Sequence, residues 1–206
     1  SSFKDKVNMS NLCQEITLPT KPIQHIDDPE GEIALCILSA INVGTLKDVS
    51  ELENLCDISV RALDEIIDYQ DYPVKAAEVS TKARRSLGIG YIGLAHYLAK
   101  NGVKYSDPKA WELVDRLSEA FQYYLLRASC DIAEEKGKCT GFERTKYADG
   151  LLPIDHYKKD VDKIVPHKQR MAWESLRKDI AKHGLRHSTL SAQMPSESSS
   201  VVSNAT

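Results

Sequence analysis

Three residues near the start of the chain could act together on a hydroxylated substrate. Asn11, Cys13 and Glu15 alternate in sequence, so an extended backbone would place an amide, a thiol and a carboxylate on one side of the segment. The amide can hydrogen-bond, the sulfur can do radical or nucleophilic chemistry, and the carboxylate can act as a base. The same spacing also fits a strand with a buried cysteine, because free cysteine is a common core residue.

Two other catalytic patterns fit the chain less well. Gly88, Gly90 and Gly93 match the G-x-G-x-x-G fingerprint, but a charged segment precedes them where a nucleotide site needs a buried apolar strand. Close backbone packing is the favoured explanation for these glycines. An acyl-transfer site would need a histidine beside Cys13, and none of the six histidines has a family-specific spacing.

Composition favours one soluble globular unit. The chain has 206 residues, of which 42% are hydrophobic and 28% charged, enough to bury one sizeable core. A net charge of -3 gives no broad basic surface for nucleic acid, and no apolar run is long enough to span a membrane. We therefore expect a cytoplasmic protein that binds neither nucleic acid nor a membrane. Five cysteines without a C-x-x-C pair argue against a disulfide scaffold or a zinc site.

Apolar periodicity and capping signals predict an α/β fold. Residues 49–69 carry apolar side chains at helical spacing, and Pro73 prevents continuation of that helix. The same reasoning predicts helices at 92–100, 107–136 and 168–183, and short strands near 85–89 and 188–194. The absence of an initiator methionine and the abrupt end after a serine cluster suggest a piece of a longer polypeptide.

Five segments in the right order resemble one known family, the large catalytic subunit of class I ribonucleotide reductase. They are NLCQE at 11–15, ALCILSA at 34–40, DYQDYP at 68–73, RRSLGIG at 84–90 and MPSESS at 194–199. The resemblance covers essentially the whole chain. It implies that residues 1–206 form a single partial domain of the family's ten-stranded α/β barrel, with a finger loop near 8–20 and a phosphate-binding loop near 194–200.

The resemblance also implies roles for the residues of the finger loop. Cys13 would become a thiyl radical that removes the 3′ hydrogen of the substrate, while Glu15 would accept the proton of the 3′-hydroxyl. Asn11 would hydrogen-bond the substrate hydroxyls, and Leu12 would contact the substrate beside them. A positioned base eases the loss of the 2′-hydroxyl as water.

Two further sites follow from the same resemblance. Cys36 would be one of two cysteines that deliver reducing equivalents and end as a disulfide, and its partner lies outside this chain. Cys56, Cys130 and Cys139 match no family motif, so we interpret them as structural. The substrate diphosphate would bind to backbone amides and hydroxyls of the loop composed of Pro195, Ser196, Glu197, Ser198 and Ser199. The family commonly has threonine where Ser198 stands, and the hydroxyl is retained.

The implied partners lie mostly outside the chain. The resemblance implies a ribonucleoside diphosphate substrate, the remaining segments of the large subunit, a small radical-generating subunit that contains metal, and thioredoxin or glutaredoxin. No cofactor would be bound by this chain, and ATP or dNTP effectors would bind to regions that it lacks. The alternative interpretation is a non-catalytic remnant that binds partners but never turns over.

Overall fold

The computed structural model describes residues 3–165 and 168–205, in which helices alternate with a short parallel sheet. The elements, in chain order, are β1 (Ile37–Asn42), α1 (Leu52–Tyr69), α2 (Lys75–Arg84), β2 (Leu87–Ile92), α3 (Leu94–Lys100), α4 (Pro108–Lys136), α5 (Trp173–His183) and α6 (Glu197–Ser203). Short 3-10 turns connect several of them. This order is the α/β arrangement that the sequence predicts.

The sheet consists of two parallel strands and one bridging residue. β1 and β2 pair in register, with Ile37 opposite Leu87, and α1 and α2 form the crossover that parallel strands require. On the other side of β2, Ser191 forms a parallel bridge with Ile89. The strand predicted at 188–194 is therefore present only as this single bridge. In the described part of the chain, the outer edge of β1 has no strand partner.

The core lies mainly between α1 and α4. The apolar residues of α1 recur at three- and four-residue steps and are buried against α4, as the periodicity predicts. Cys56, Cys130 and Cys139 are at most 3% exposed in this core. Burial raises the pKa of the Cys56 thiol to about 12 and the pKa of the other two to about 11, so all three stay protonated at neutral pH. Their environment suits a structural role.

The helix bounds agree with the sequence where local signals are strong. α4 begins at Pro108 after Asp107 and ends before Gly137, as predicted. α1 begins at Leu52 because a 3-10 turn occupies Val49–Glu51. α3 begins at Leu94 because Ile92, the first residue predicted in it, belongs to β2, and Gly93 adopts a left-handed conformation at the N-cap.

Two helices differ from the prediction for identifiable reasons. α2 was not predicted, because its buried face consists of small and polar residues that leave no apolar period. α5 begins at Trp173, later than predicted, because the preceding backbone is bonded to a carboxylate of α4. Glu119 accepts hydrogen bonds from the backbone N–H groups of Arg170 (2.8 Å) and Met171 (3.1 Å). Within the described residues, no helix combines the length and apolar character needed to cross a membrane.

Candidate functional site

Cys13 lies at the exposed tip of a loop, not in a buried strand. The finger loop, residues 8–20, is irregular, and its tip is a tight turn in which the Gln14 N–H donates to the Asn11 carbonyl at 3.1 Å. Gln14 has φ of 61°, a left-handed conformation that reverses the chain direction. The expectation of an extended, alternating segment over 11–15 is therefore wrong. A turn instead presents the thiol to the outside of the loop.

The Oδ1 atom of the Asn11 side chain supports this turn, and its amide NH₂ group stays available. Its Oδ1 accepts a hydrogen bond from the Ile16 N–H at 3.2 Å. The amide NH₂ group is then the end that can donate to a substrate hydroxyl. Asn11 also lines a cavity of about 520 Å³ between the finger loop and the segment 20–34. The neighbouring Leu12 is 97% exposed and so can contact a ligand or another segment of protein.

Glu15 and Cys36 are brought close together. The Glu15 Oε2 atom is buried and has no hydrogen-bond partner among the described residues, an arrangement that suits a proton acceptor. Cys36 immediately precedes β1. Burial, and to a smaller extent the charge of Glu15, raises the pKa of the Cys36 thiol to about 12. The finger loop and the predicted redox cysteine therefore share one electrostatic environment.

The glycines of β2 allow Cys36 and the segment before the predicted phosphate loop to meet on one strand. A Cβ atom at Gly88 would lie 2.9 Å from the Cys36 sulfur and 3.2 Å from the Cβ of Ala192. At Gly90 it would lie 2.8 Å from the Met194 methyl carbon. Both positions exclude any side chain without movement of their neighbours. The geometry thus supports close packing, not a nucleotide fingerprint, as the reason for these glycines.

The predicted phosphate loop lies at the start of α6, with most of its residues exposed. Pro195, Glu197, Ser198 and Ser199 are exposed and Ser196 is half-buried. The Ser199 hydroxyl donates to the Ser196 carbonyl at 3.1 Å. In the part of the chain that the structure describes, no hydrogen bond or ion pair joins this loop to the finger loop. Cys36 and Ala192, which lies just before this loop, both pack against Gly88 of β2.

A buried cluster that the sequence did not reveal lies beside the N-terminal end of β2. Ser129, His187 and Asp64 form a chain of hydrogen bonds, with 2.9 Å between Ser129 Oγ and His187 Nδ1 and 3.1 Å between His187 Nε2 and Asp64 Oδ1. Because the His187 backbone N–H donates to the Ser129 hydroxyl oxygen, that hydroxyl can donate to Nδ1, and Nε2–H then donates to Asp64. All three residues are 0% exposed, so this serine cannot meet a substrate.

The described residues place neither a bonded histidine nor a metal-binding cluster at Cys13. Among residues 3–165 and 168–205, no hydrogen bond or ion pair joins a histidine to Cys13, and no group of three or more His, Cys, Asp or Glu side chains could hold a metal ion. His167, one of the six histidines considered, lies outside the described residues. The chemistry available at the loop is therefore that of Cys13, Glu15, Asn11 and Cys36.

The electrostatic effect of Glu15 on Cys36 can be tested by titration. We expect Glu15→Gln to lower the pKa of Cys36, because removal of a neighbouring negative charge stabilises the thiolate. Burial is the larger cause and remains, so the pKa should stay above the ordinary thiol value. The measurement is the rate of Cys36 alkylation against pH in a Cys13→Ala background, since the exposed Cys13 would react first.

Glu30 provides the matched control for this titration. It is exposed, and Glu30→Gln removes the same charge from the segment before Cys36. An identical alkylation profile for Glu15→Gln and Glu30→Gln would contradict the proximity of Glu15 to the thiol.

The described residues thus form an α/β fold that presents one cysteine on an exposed loop and couples a carboxylate of that loop electrostatically to a second cysteine. The sequence matches the family described as "Ribonucleotide reductase, barrel domain" over residues 1–206, and the chain belongs to this family. This confirms the resemblance found in the sequence motifs.

Curated relatives give the same assignment. The chain is 60% identical to a protein named "Ribonucleoside-diphosphate reductase subunit alpha" from Haemophilus influenzae, over 97% of the chain and 26% of that protein. It is 57% identical over its whole length to the protein of the same name from Buchnera aphidicola subsp. Schizaphis graminum, of which it covers 27%. "Ribonucleoside-diphosphate reductase 1 subunit alpha" of Escherichia coli is 56% identical, and the chain covers 26% of it. The chain thus spans about a quarter of the length of these relatives.

Proposed function

We propose that this chain supplies the catalytic finger loop, one redox cysteine and the diphosphate-binding loop of a ribonucleoside-diphosphate reductase large subunit. The observation that carries the proposal is the combination of an exposed Cys13 with a buried, unpartnered Glu15 oxygen whose charge acts on Cys36. Packing alone requires no such combination. Membership of the ribonucleotide reductase family supports the same function.

Each residue of the finger loop has one task in the proposed reaction. The Cys13 sulfur radical removes hydrogen from C3′ of the ribose, and Glu15 accepts the proton of the 3′-hydroxyl. The 2′-hydroxyl then takes up one proton and leaves as water. Asn11 holds the substrate hydroxyls through its free NH₂ group, and Leu12 contacts the substrate at the loop tip.

Cys36 supplies reducing equivalents in this scheme. Two thiols, Cys36 and a cysteine of the remaining segments, lose two electrons and two protons and form a disulfide. Cys13 returns its hydrogen to C3′, so the balance is one ribonucleoside diphosphate and two thiols converted to one deoxyribonucleoside diphosphate, one disulfide and one water. Because the raised pKa keeps Cys36 a thiol, it can give hydrogen as well as electrons.

The loop from Pro195 to Ser199 is proposed to hold the substrate diphosphate. At the start of α6 the first backbone N–H groups lack carbonyl partners within the helix, and the hydroxyls of Ser196 and Ser198 would add further donors. The carboxylate of Glu197 would repel phosphate, so we assign its contribution to the backbone N–H. The hydroxyl of Ser198 is retained where the family commonly has threonine, and phosphate contact should survive this difference.

The proposed enzyme needs partners that this chain does not contain. These are the remaining segments of the large subunit, a metal-containing small subunit that supplies the radical, and thioredoxin or glutaredoxin as the reductant. ATP and dNTP effectors are expected to bind to the remaining segments. The proposed location is the cytoplasm, where reducing conditions keep the cysteines as thiols.

Reconstitution tests this function. The chain is co-expressed with the remaining segments of a relative's large subunit, which we call the reconstituted large subunit, and is mixed with the radical-generating subunit and a thiol reductant. We expect conversion of ribonucleoside diphosphate to the deoxy product, and no conversion by the isolated chain. A reconstituted subunit that folds and binds substrate but gives no product would instead support the non-catalytic remnant.

Cys36→Ser should block multiple turnover in the reconstituted large subunit. One of the two thiols that the scheme oxidises is lost, so the remaining cysteine can neither supply both electrons nor form the disulfide, and the reducing cycle cannot be completed. The measurement is product per active site with a thioredoxin-type donor. Cys139→Ala is the control, because it removes a buried cysteine that has no task in the cycle. Normal cycling by Cys36→Ser would show that another sulfur supplies the electrons.

A further inference from the structure

Both ends of the finger loop return to one cluster of charged side chains. Asp5 precedes the loop, Lys21 follows it, and both make ion pairs within the cluster. We call it the Glu32 cluster, and its members are Asp5, Lys21, Glu32, Arg84 and Arg144. Arg84 is the last residue of α2 and Arg144 ends a 3-10 turn, so the base of the loop is tied to two distant parts of the chain.

Glu32 is the centre of this cluster and holds the far end of the loop. Its carboxylate accepts a hydrogen bond from Arg84 Nε at 2.8 Å, and it lies 3.1 Å from Lys21 Nζ and 3.1 Å from an Arg144 nitrogen. The backbones of Lys21 and Glu32 also exchange two hydrogen bonds, of 3.0 and 3.2 Å. Residue 21 is thus fixed to Glu32 by main chain and side chain together.

The two arginines hold the near end of the loop. Arg84 donates to Asp5 at 3.0 Å, and Arg144 Nε lies 3.0 Å from the same carboxylate. Next to Asp5, the Lys4 N–H donates to the Arg144 carbonyl at 3.0 Å, and Phe3 forms an antiparallel bridge with Thr145. Because Arg84 contacts both Asp5 and Glu32, one guanidinium links the two ends.

Burial strengthens the attraction between the charges of Glu32 and Arg84. The side chains of Glu32 and Arg84 are 7% and 2% exposed, so water screens their attraction weakly. Burial alone would raise the pKa of Glu32, but hydrogen bonds from Arg84 and Lys21 outweigh it and the pKa lies below its ordinary value. Glu32 is therefore ionised at neutral pH. Removal of its charge would leave the buried Arg84 with Asp5 as its remaining partner.

Apart from the buried Leu18 near its far end, the loop has few fixed points between its ends. Within the described residues, its internal hydrogen bonds join Asn11 to Gln14 and Ile16, close to the tip. We propose that Glu32 is a positioning residue for Cys13, because it ties the far end of the finger loop to α2 directly and fixes the two arginines that hold the near end, and so sets where the loop presents the thiol. The catalytic consequence rests on the proposed function, whereas the ordering of the loop does not.

Hydrogen–deuterium exchange and kinetics of the reconstituted large subunit test the two parts of this proposal separately. In Glu32→Gln, we expect faster exchange in peptides covering 3–20 and unchanged exchange in α4. We also expect kcat to fall by about 10²-fold, since a misplacement of about 1 Å can have that effect. The substrate Kd should rise much less, because the diphosphate loop lies elsewhere and only the contacts of Asn11 and Leu12 move with the finger loop. Glu30→Gln, an exposed neighbour with the same charge loss, should match the wild type in every measurement.

The outcomes are distinguishable from failure of the proposed function. Unchanged exchange over 3–20, or an equal increase in α4, would overturn the proposal, because Glu32 would then order nothing or only support the whole fold. An equal loss of kcat and substrate affinity would also overturn it. If the wild type makes no product, the proposed function fails. The exchange measurement still decides whether Glu32 orders the finger loop. Should Glu32→Gln not fold, Lys21→Met, which removes a 52% exposed partner, should give the same local pattern with a smaller change.

Discussion

Replacing Cys13 with serine should abolish nucleotide reduction in the reconstituted large subunit while leaving substrate binding nearly intact. An alcohol O–H bond is much harder to convert to a radical than a thiol S–H bond, so the step that begins the reaction is lost. Cys13 is exposed, and serine has nearly the same shape, so the loop should keep its conformation. The measurements are deoxynucleotide formation, expected to be undetectable, and the substrate Kd, expected to match the wild type.

A control separates this effect from general disturbance of the protein. Cys139→Ala changes a cysteine far from any predicted chemistry and should retain activity. Appreciable turnover by Cys13→Ser would remove Cys13 from the radical role. A loss of substrate binding equal to the loss of turnover would mean that the substitution had damaged the site as a whole.

Local signals in the sequence account for the parts of the fold that were predicted correctly. The long helix α4 follows from a proline and a glycine at its ends and from regular apolar spacing between them. These signals depend only on neighbouring residues. α2 has none of them, because it buries alanine, serine and threonine against its neighbours. A helix with such a face can be recognised only from the structure that packs on it.

The candidate site, like the fold, could be predicted only in part from the sequence. The residue types at 11, 13 and 15 indicated chemistry on a hydroxylated substrate, and the family resemblance added the roles of Cys36 and the loop at 195–199. The turn at the loop tip was not predictable, because it depends on Gln14 adopting a left-handed conformation that its residue type does not favour. The Glu32 cluster joins positions up to 139 residues apart, and no sequence pattern links such positions.

Asp64 is another buried carboxylate at the centre of several ion pairs. Its side chain is 1% exposed, and it accepts a hydrogen bond from Arg85 Nε at 2.6 Å, with Arg186 Nε at 3.3 Å. Burial alone would raise the pKa of Asp64, but hydrogen bonds from His187 and Arg85 outweigh it, so the pKa is lowered and the carboxylate is ionised at neutral pH. Arg85 has φ of 47°, an unfavourable value for a residue with a side chain. Its ion pairs with α1 therefore compensate for backbone strain at the start of β2.

Asp64→Asn should destabilise the chain by about 3 kcal/mol, because it leaves the buried Arg85 and the half-buried Arg186 without their shared counter-charge. Asp68 still pairs with Arg85 at 2.8 Å, which places the loss at the lower end of the range for broken buried ion pairs. Asp68→Asn is the matched control on the same helix. Asp68 is 51% exposed, so its loss should remove about 1 kcal/mol or less. The measurement is the urea midpoint of the helical circular dichroism signal, and equal midpoints for the two variants would contradict a central role for Asp64.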